Sequence, residues 1–333
     1  MKTHTKIGVK GEYKLTVRKA DGSVKSETGW CPNLLTNSFF SYMLSGQSSN
    51  TGARRISAVA GAGSATPSES DTRLQSYLGG CSSLQAFDNQ SAAELVTPPY
   101  FIEQMWVLRS AQGGVVGNVT EVGIINATSP SGAKDVLSRA LVVDSNGNPT
   151  SVTVLGDEYL DVTWRLRYYA SPSTSRFNMV IDGVTVPINA SIVPVGMSNP
   201  TSNYGWNRSG SGTGGSDPAN LHTVFNASST GTAYTMALNR TTVIGPGDNP
   251  NFPGAVLIDT AYTKAAYTLG QKFRDFTYTL PLGSANVAGG INFLVMDFEA
   301  FKFHAFLDVA IPKTNTKVMR TTQRISLENY VAP

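Results

Sequence analysis

The stretch from Leu160 to Tyr169 constrains the fold more than any other part of the chain. Leu160, Val162, Trp164, Leu166 and Tyr168 fall on one side of an extended backbone, and Asp161, Thr163, Arg165 and Arg167 fall on the other. Alternation of period two over this length marks a strand with one buried and one wet face. A face this apolar needs a second layer to cover it, which points to an antiparallel sheet in a layered all-β domain. The same pattern recurs at Tyr13, Leu15 and Val17. Asp21-Gly22 follows, a dipeptide suited to a tight hairpin turn, and the chain returns from Val24 to Trp30.

Further strands are predicted over residues 101–108, 120–125, 136–143 and 151–155, with Asn146-Gly147-Asn148-Pro149 as a turn between the last two. Others follow over 234–243, 255–260, 273–280 and 291–297. A closing hairpin runs from Phe301 to Val309, turns through Pro312-Lys313-Thr314-Asn315 and returns over 317–327. Two short helices are predicted. The first covers residues 36–44, with Leu35, Phe39, Tyr42 and Met43 at helical spacing. The second begins at Thr66-Pro67-Ser68-Glu69, which reads as a capping box with proline at the first helical position, and carries Leu74, Tyr77 and Leu78. Residues 197–220 are polar and glycine-rich and read as a long exposed loop.

The reading is therefore an antiparallel β-sandwich, jelly-roll-like, with two short helices and long polar loops. Residues 1–32 form an N-terminal hairpin or docking extension. Residues 33–333 form the sandwich domain, with the loop at 197–220 inserted in it.

Charged residues make up 15% of the 333, well below the roughly 25% usual in globular domains. Ser, Thr, Asn and 32 glycines supply the remaining polarity, which suits short strands, many turns and a surface covered by partners. The net charge of +3 comes without any basic run, Arg54-Arg55 being read as a solvated doublet, so nucleic acid is not an expected partner. No segment approaches the length of apolar chain a membrane helix needs, and no apolar h-region follows the basic N-terminus. The seven Asn-x-Ser/Thr triplets reflect composition. Cys31 and Cys81 read as free thiols of a protein made in a reducing cytoplasm.

Reaction chemistry is not predicted. Gly61-Ala62-Gly63-Ser64-Ala65 lacks the third glycine of a dinucleotide loop and has no βαβ context, so it reads as a turn. His4, His222 and His304 are dispersed, and Gly-Ser-Gly at 210–212 lies in the polar loop rather than on a nucleophile elbow. Asp157 and Glu158 are adjacent and would point to opposite faces of a strand, unlike the facing carboxyls of a glycosidase; with Asp161 they read as turn and strand-edge groups. Tyr204 and Trp206 suit either sugar stacking or an interface. No catalytic, cofactor-binding or metal-binding residue is assigned, and no cofactor is expected.

Several blocks resemble structural proteins of tailed bacteriophages. They are Gly61-Ala62-Gly63-Ser64-Ala65-Thr66-Pro67-Ser68, Glu121-Val122-Gly123-Ile124, Leu137-Ser138-Arg139-Ala140-Leu141, Gly147-Asn148-Pro149-Thr150-Ser151-Val152-Thr153-Val154, Asp157-Glu158-Tyr159-Leu160-Asp161-Val162-Thr163, Arg165-Leu166-Arg167-Tyr168 and Ile311-Pro312-Lys313-Thr314. The block from 137 to 168 is the most specific. The resemblance implies a non-enzymatic virion component of the tail, collar, fibre or baseplate, made in the host bacterial cytoplasm. Its implied partners are copies of itself, as a trimer or ring, and other tail, neck or baseplate proteins. A host surface glycan receptor is the alternative partner, and a capsid decoration role the further alternative.

Overall fold

The computed structural model describes residues 2–45, 56–94, 99–127, 129–132, 135–170, 175–181, 184–194, 234–238, 256–259, 262–283, 286, 288–298 and 301–331. The first elements are β1 (Lys2–Arg18), β2 (Val24–Glu27), β3 (Cys31–Leu35), α1 (Asn37–Ser45), β4 (Ile56–Gly61), β5 (Tyr77–Glu94) and β6 (Tyr100–Ser110). They continue with β7 (Gly117–Val119), β8 (Glu121–Asn126), β9 (Val136–Leu141), β10 (Val152–Val154), β11 (Tyr159–Ala170), β12 (Ser175–Ile181) and β13 (Val184–Pro194). The last are β14 (Tyr234–Leu238), β15 (Val256–Asp259), β16 (Tyr262–Lys264), β17 (Phe273–Leu280), β18 (Ile291–Phe298), β19 (Phe301–Ile311) and β20 (Met319–Asn329).

The expected all-β, antiparallel character is present. The layering differs, because the main sheet closes on itself instead of stacking against a second one. Eight strands run in the ring β1-β11-β6-β5-β4-β8-β9-β3 and back to β1, each antiparallel to its neighbours. The length of β1 makes closure possible. One edge pairs with β11 over Ile7–Arg18, and the other meets β20, β3 and β2 in succession. Both ends of the open sheet thus find the same strand, and neither is left as an edge. The hairpin expected in residues 1–32 is accordingly built into the wall, with Gly22 at φ 84 in its turn.

Register around the ring defines one inward-facing set. Tyr13 lies opposite Trp164, and Trp164 opposite Trp106. On the far side Cys81 faces Ala58, Ala58 faces Ile124, and Ile124 faces Ser138. Trp106 in turn lies opposite Phe87, so four neighbouring staves contribute rings, while Cys81, Ala58 and Ser138 keep the far side narrow. That fits an eight-stranded barrel, whose interior is just wide enough for side chains. Trp106 and Trp164 stack with centroids 4.8 Å apart, worth about 0.5–1.5 kcal/mol beyond their burial.

Beyond the ring, β20 runs parallel to β1 and carries β17 and β16 outward. A separate six-stranded antiparallel sheet has the order β12-β13-β19-β18-β14-β15. The first expected helix is α1, which buries Phe39, Phe40, Met43 and Leu44. The second is absent, and residues 62–76 are turns and bends lying against β8 and β9. Its start signal is real but ends in a turn: Asp71 N–H donates to Ser68 O and Ser68 N–H to the Asp71 carboxylate. Glu69, the supposed box partner, bonds Lys272 and Asn329 instead. Tyr77 and Leu78, read as part of that helix, open β5. The polar loop at 197–220, Tyr204, Trp206, His222 and Arg54-Arg55 lie outside the described residues.

Candidate functional site

The polar residues singled out in the sequence are dispersed over the structure and enter separate networks. His4 sits exposed on β1 with its ring Nε2 3.0 Å from Ser326 Oγ, and His304 lies on β19, paired with Ser191 and Val295. Burial pushes the Cys81 thiol far up, which keeps it protonated and inert as a nucleophile. Glu158 accepts from Lys25 Nζ and from the Leu155 N–H, contacts that hold its carboxyl below the usual range.

Asp161 belongs to a ladder of charge on the outer face of β1, β11 and β6. Its carboxylate takes Arg109 Nε at 2.6 Å and Arg18 Nε at 2.7 Å. Burial opposes its ionisation, but these two guanidinium groups outweigh that and hold its pKa below the ordinary value. Along the same face Arg165 pairs with Glu12 at 2.8 Å and Arg167 with Glu103 at 2.6 Å. Asp161–Arg109, Glu12–Arg165 and Arg167–Glu103 are directly opposed in register, the geometry in which opposite charges stabilise a sheet. Trp30 covers the guanidinium of Arg165 at 3.8 Å. Charge outside and apolar side chains inside is the inverse of a lipid-facing barrel wall.

A second cluster pins residues 62–76 to the barrel. Arg139 on β9 donates to Glu121 at 2.8 Å, to Asp71 at 2.8 Å and to the Ala65 carbonyl at 3.0 Å. The other oxygen of Glu121 accepts from the N–H groups of Gly63 and Ser76. A Cβ at Gly61 or Gly63 would collide with the Glu121 side chain, which explains the Gly-Ala-Gly sequence as close packing.

A cleft of about 770 Å³, lined by described residues, opens beside α1. The helix faces two ways. Phe39, Phe40, Met43 and Leu44 enter the core, while Asn37, Ser38, Ser41, Tyr42 and Ser45 line the cleft. These five recur at i, i+1, i+4, i+5 and i+8, one polar stripe of a helix. Asn126 at the end of β8 and Asp135 just before β9 also line the cleft, and Tyr267, Leu269 and Gly270 come from the loop before β17. That loop is fixed. Tyr267 donates its hydroxyl to Gln271 O at 2.9 Å and touches Ser41 Oγ at 3.1 Å; Arg274 binds the Leu44 carbonyl at the helix end at 2.8 Å. Asn126 appears in the sequence only as one of the Asn-x-Thr triplets, and Asp135 and Tyr267 carry no local signal at all. The helix itself was legible, but Tyr42, read with Phe39 and Met43 as part of its apolar set, lines the cleft.

No candidate cation cluster of His, Cys, Asp and Glu occurs among the described residues, and none of their helices is long and apolar enough to cross a membrane. Comparison of the chain with protein-family models, with curated proteins and with solved structures finds no match.

Proposed function

We propose that this chain is a non-enzymatic structural subunit of a tailed bacteriophage particle, placed in the tail, collar, fibre or baseplate region and acting through assembly with copies of itself and with other virion proteins. The observation that carries the reading is the use made of the block from 137 to 168, the stretch most similar to phage structural proteins. Five of its seven charged side chains, Arg139, Glu158, Asp161, Arg165 and Arg167, are spent on internal ion pairs, and Asp144 accepts from the N–H groups of its own turn at Asn146 and Asn148. What the resemblance shares is thus a frame, and a frame is what a family of assembly proteins has reason to keep in common. A low charge density and a closed barrel suit a rigid unit carried in a symmetric particle.

Mass spectrometry of purified particles, with gold-tagged electron microscopy to locate the tag, tests the proposal. Expected is a stoichiometric virion protein labelling the tail region. A chain absent from particles and monomeric by light scattering would overturn it.

A further inference from the structure

We infer that the cleft beside α1 is a binding site for a neutral saccharide. Its volume lies in the range of small-ligand sites, and the loop on one side is held by Tyr267 and Arg274 before any ligand arrives. The lining chemistry narrows the class. Asn37, Ser38, Ser41, Ser45 and Asn126 offer uncharged donors and acceptors, and Asp135 is the one charged lining residue. A phosphate or carboxylate ligand would meet a carboxylate and no lysine or arginine in that lining, so anions are disfavoured. Tyr42 and Tyr267 are half-buried against the core and present amphipathic rings to the cleft, with Leu137 and Leu269 beside them. Polar edges combined with apolar faces match a sugar ring, which is hydroxylated at its rim and carries C–H groups on its faces.

The second observation is Asn126. Its Oδ1 is shielded from water and accepts no hydrogen bond. A buried amide oxygen left without a donor costs stability, and such a group in a native structure calls for an explanation. Asn126 lines the cleft, and a ligand hydroxyl that displaces the atoms covering Oδ1 would supply the missing donor. Asp135, an acceptor with no donor requirement of its own, is suited to take a second hydroxyl.

The inference is independent of the assembly reading, because sugar binding and incorporation into particles are measured separately and either can fail alone. The test is saturation-transfer NMR on the full chain. The panel comprises glucose, galactose, N-acetylglucosamine, rhamnose and maltose, with glucuronate and inorganic phosphate as anionic controls. Expected is transfer to at least one neutral sugar and none to either anion. Asn126→Ala should weaken that sugar by about five- to tenfold, the usual reach of one hydrogen bond. Ser45→Trp, which fills the cleft from the solvent side of α1, should abolish binding; circular dichroism of both variants reports whether the fold is kept. Transfer to no sugar at roughly 10 mM, about ten times the weak end of the affinity scale, would overturn the inference. So would a bound sugar whose affinity neither folded variant changes, or preference for the anions.

Discussion

Asp161 and Glu121 are both carboxylates on the outside of the same barrel, each holding arginine, yet they do different work. Asp161 is itself 3% exposed, but Arg18 and Arg109 are 30% and 28% exposed and keep contact with water. Glu121 is fully buried and Arg139 only 4% exposed, so that pair has left water altogether. The first is a rung bracing three strands in place. The second is a bolt through a loop, since Glu121 also receives two backbone N–H groups from residues 62–76. Burial, more than the distance between charges, decides what removing each would cost.

Glu121→Ala should have the largest effect. It leaves the Arg139 guanidinium buried with only Asp71 to balance it and orphans the Gly63 and Ser76 N–H groups. Urea unfolding should show a loss of about 3–5 kcal/mol. Asp161→Asn should cost less, about 1–2 kcal/mol, because its arginines can rehydrate, and the loss should shrink as salt is raised. If the two substitutions cost the same, the contrast drawn above fails.

Acid offers a second way to sharpen it. The pKa values of Asp161 and Glu158 are depressed in the folded protein, so the stability they contribute is fully present above the ordinary carboxylate pKa of about 4 and is lost as pH falls through their lower folded values. Thermal melts should be flat near neutrality and drop below about pH 4, with a shallower drop in Asp161→Asn. Smallest of all, Lys6→Ala should change stability by no more than about 0.5 kcal/mol. Its pair with Glu328 is exposed at both ends, 59% and 49%.

These contrasts also explain what could be read from the chain in advance. β11 was legible because one face is wet and ion-paired while the other is dry, which writes period two directly into the sequence. β5 was not. Its pairing with β6 shifts register near Cys81, Leu84 and Asp88, and each shift breaks the alternation. It is a strand because β4 and β6 supply ladders on both sides, a tertiary cause with no local trace. The capping signature at 66–69 was sound local chemistry that lost to longer-range partners, since Gln75, Glu121 and Arg139 hold the backbone of residues 63–65 just before it and the Asn37 N–H donates to the Glu69 carbonyl. Closure was hidden for the same reason. Alternation in β1 shows that one face is buried and cannot show that both edges are paired. Of the cleft, only the helix that forms one side could be seen, because Asn126, Asp135 and Tyr267 reach it from three distant parts of the chain.

The central claim is that the charges of the 137–168 block serve the frame. A double-mutant cycle of Glu121→Gln and Arg139→Met, read by urea unfolding, tests it most directly. The account predicts that the double variant recovers much of what the single ones lose, a coupling of about 2 kcal/mol between two groups removed from water together. Additivity within about 0.5 kcal/mol would contradict it.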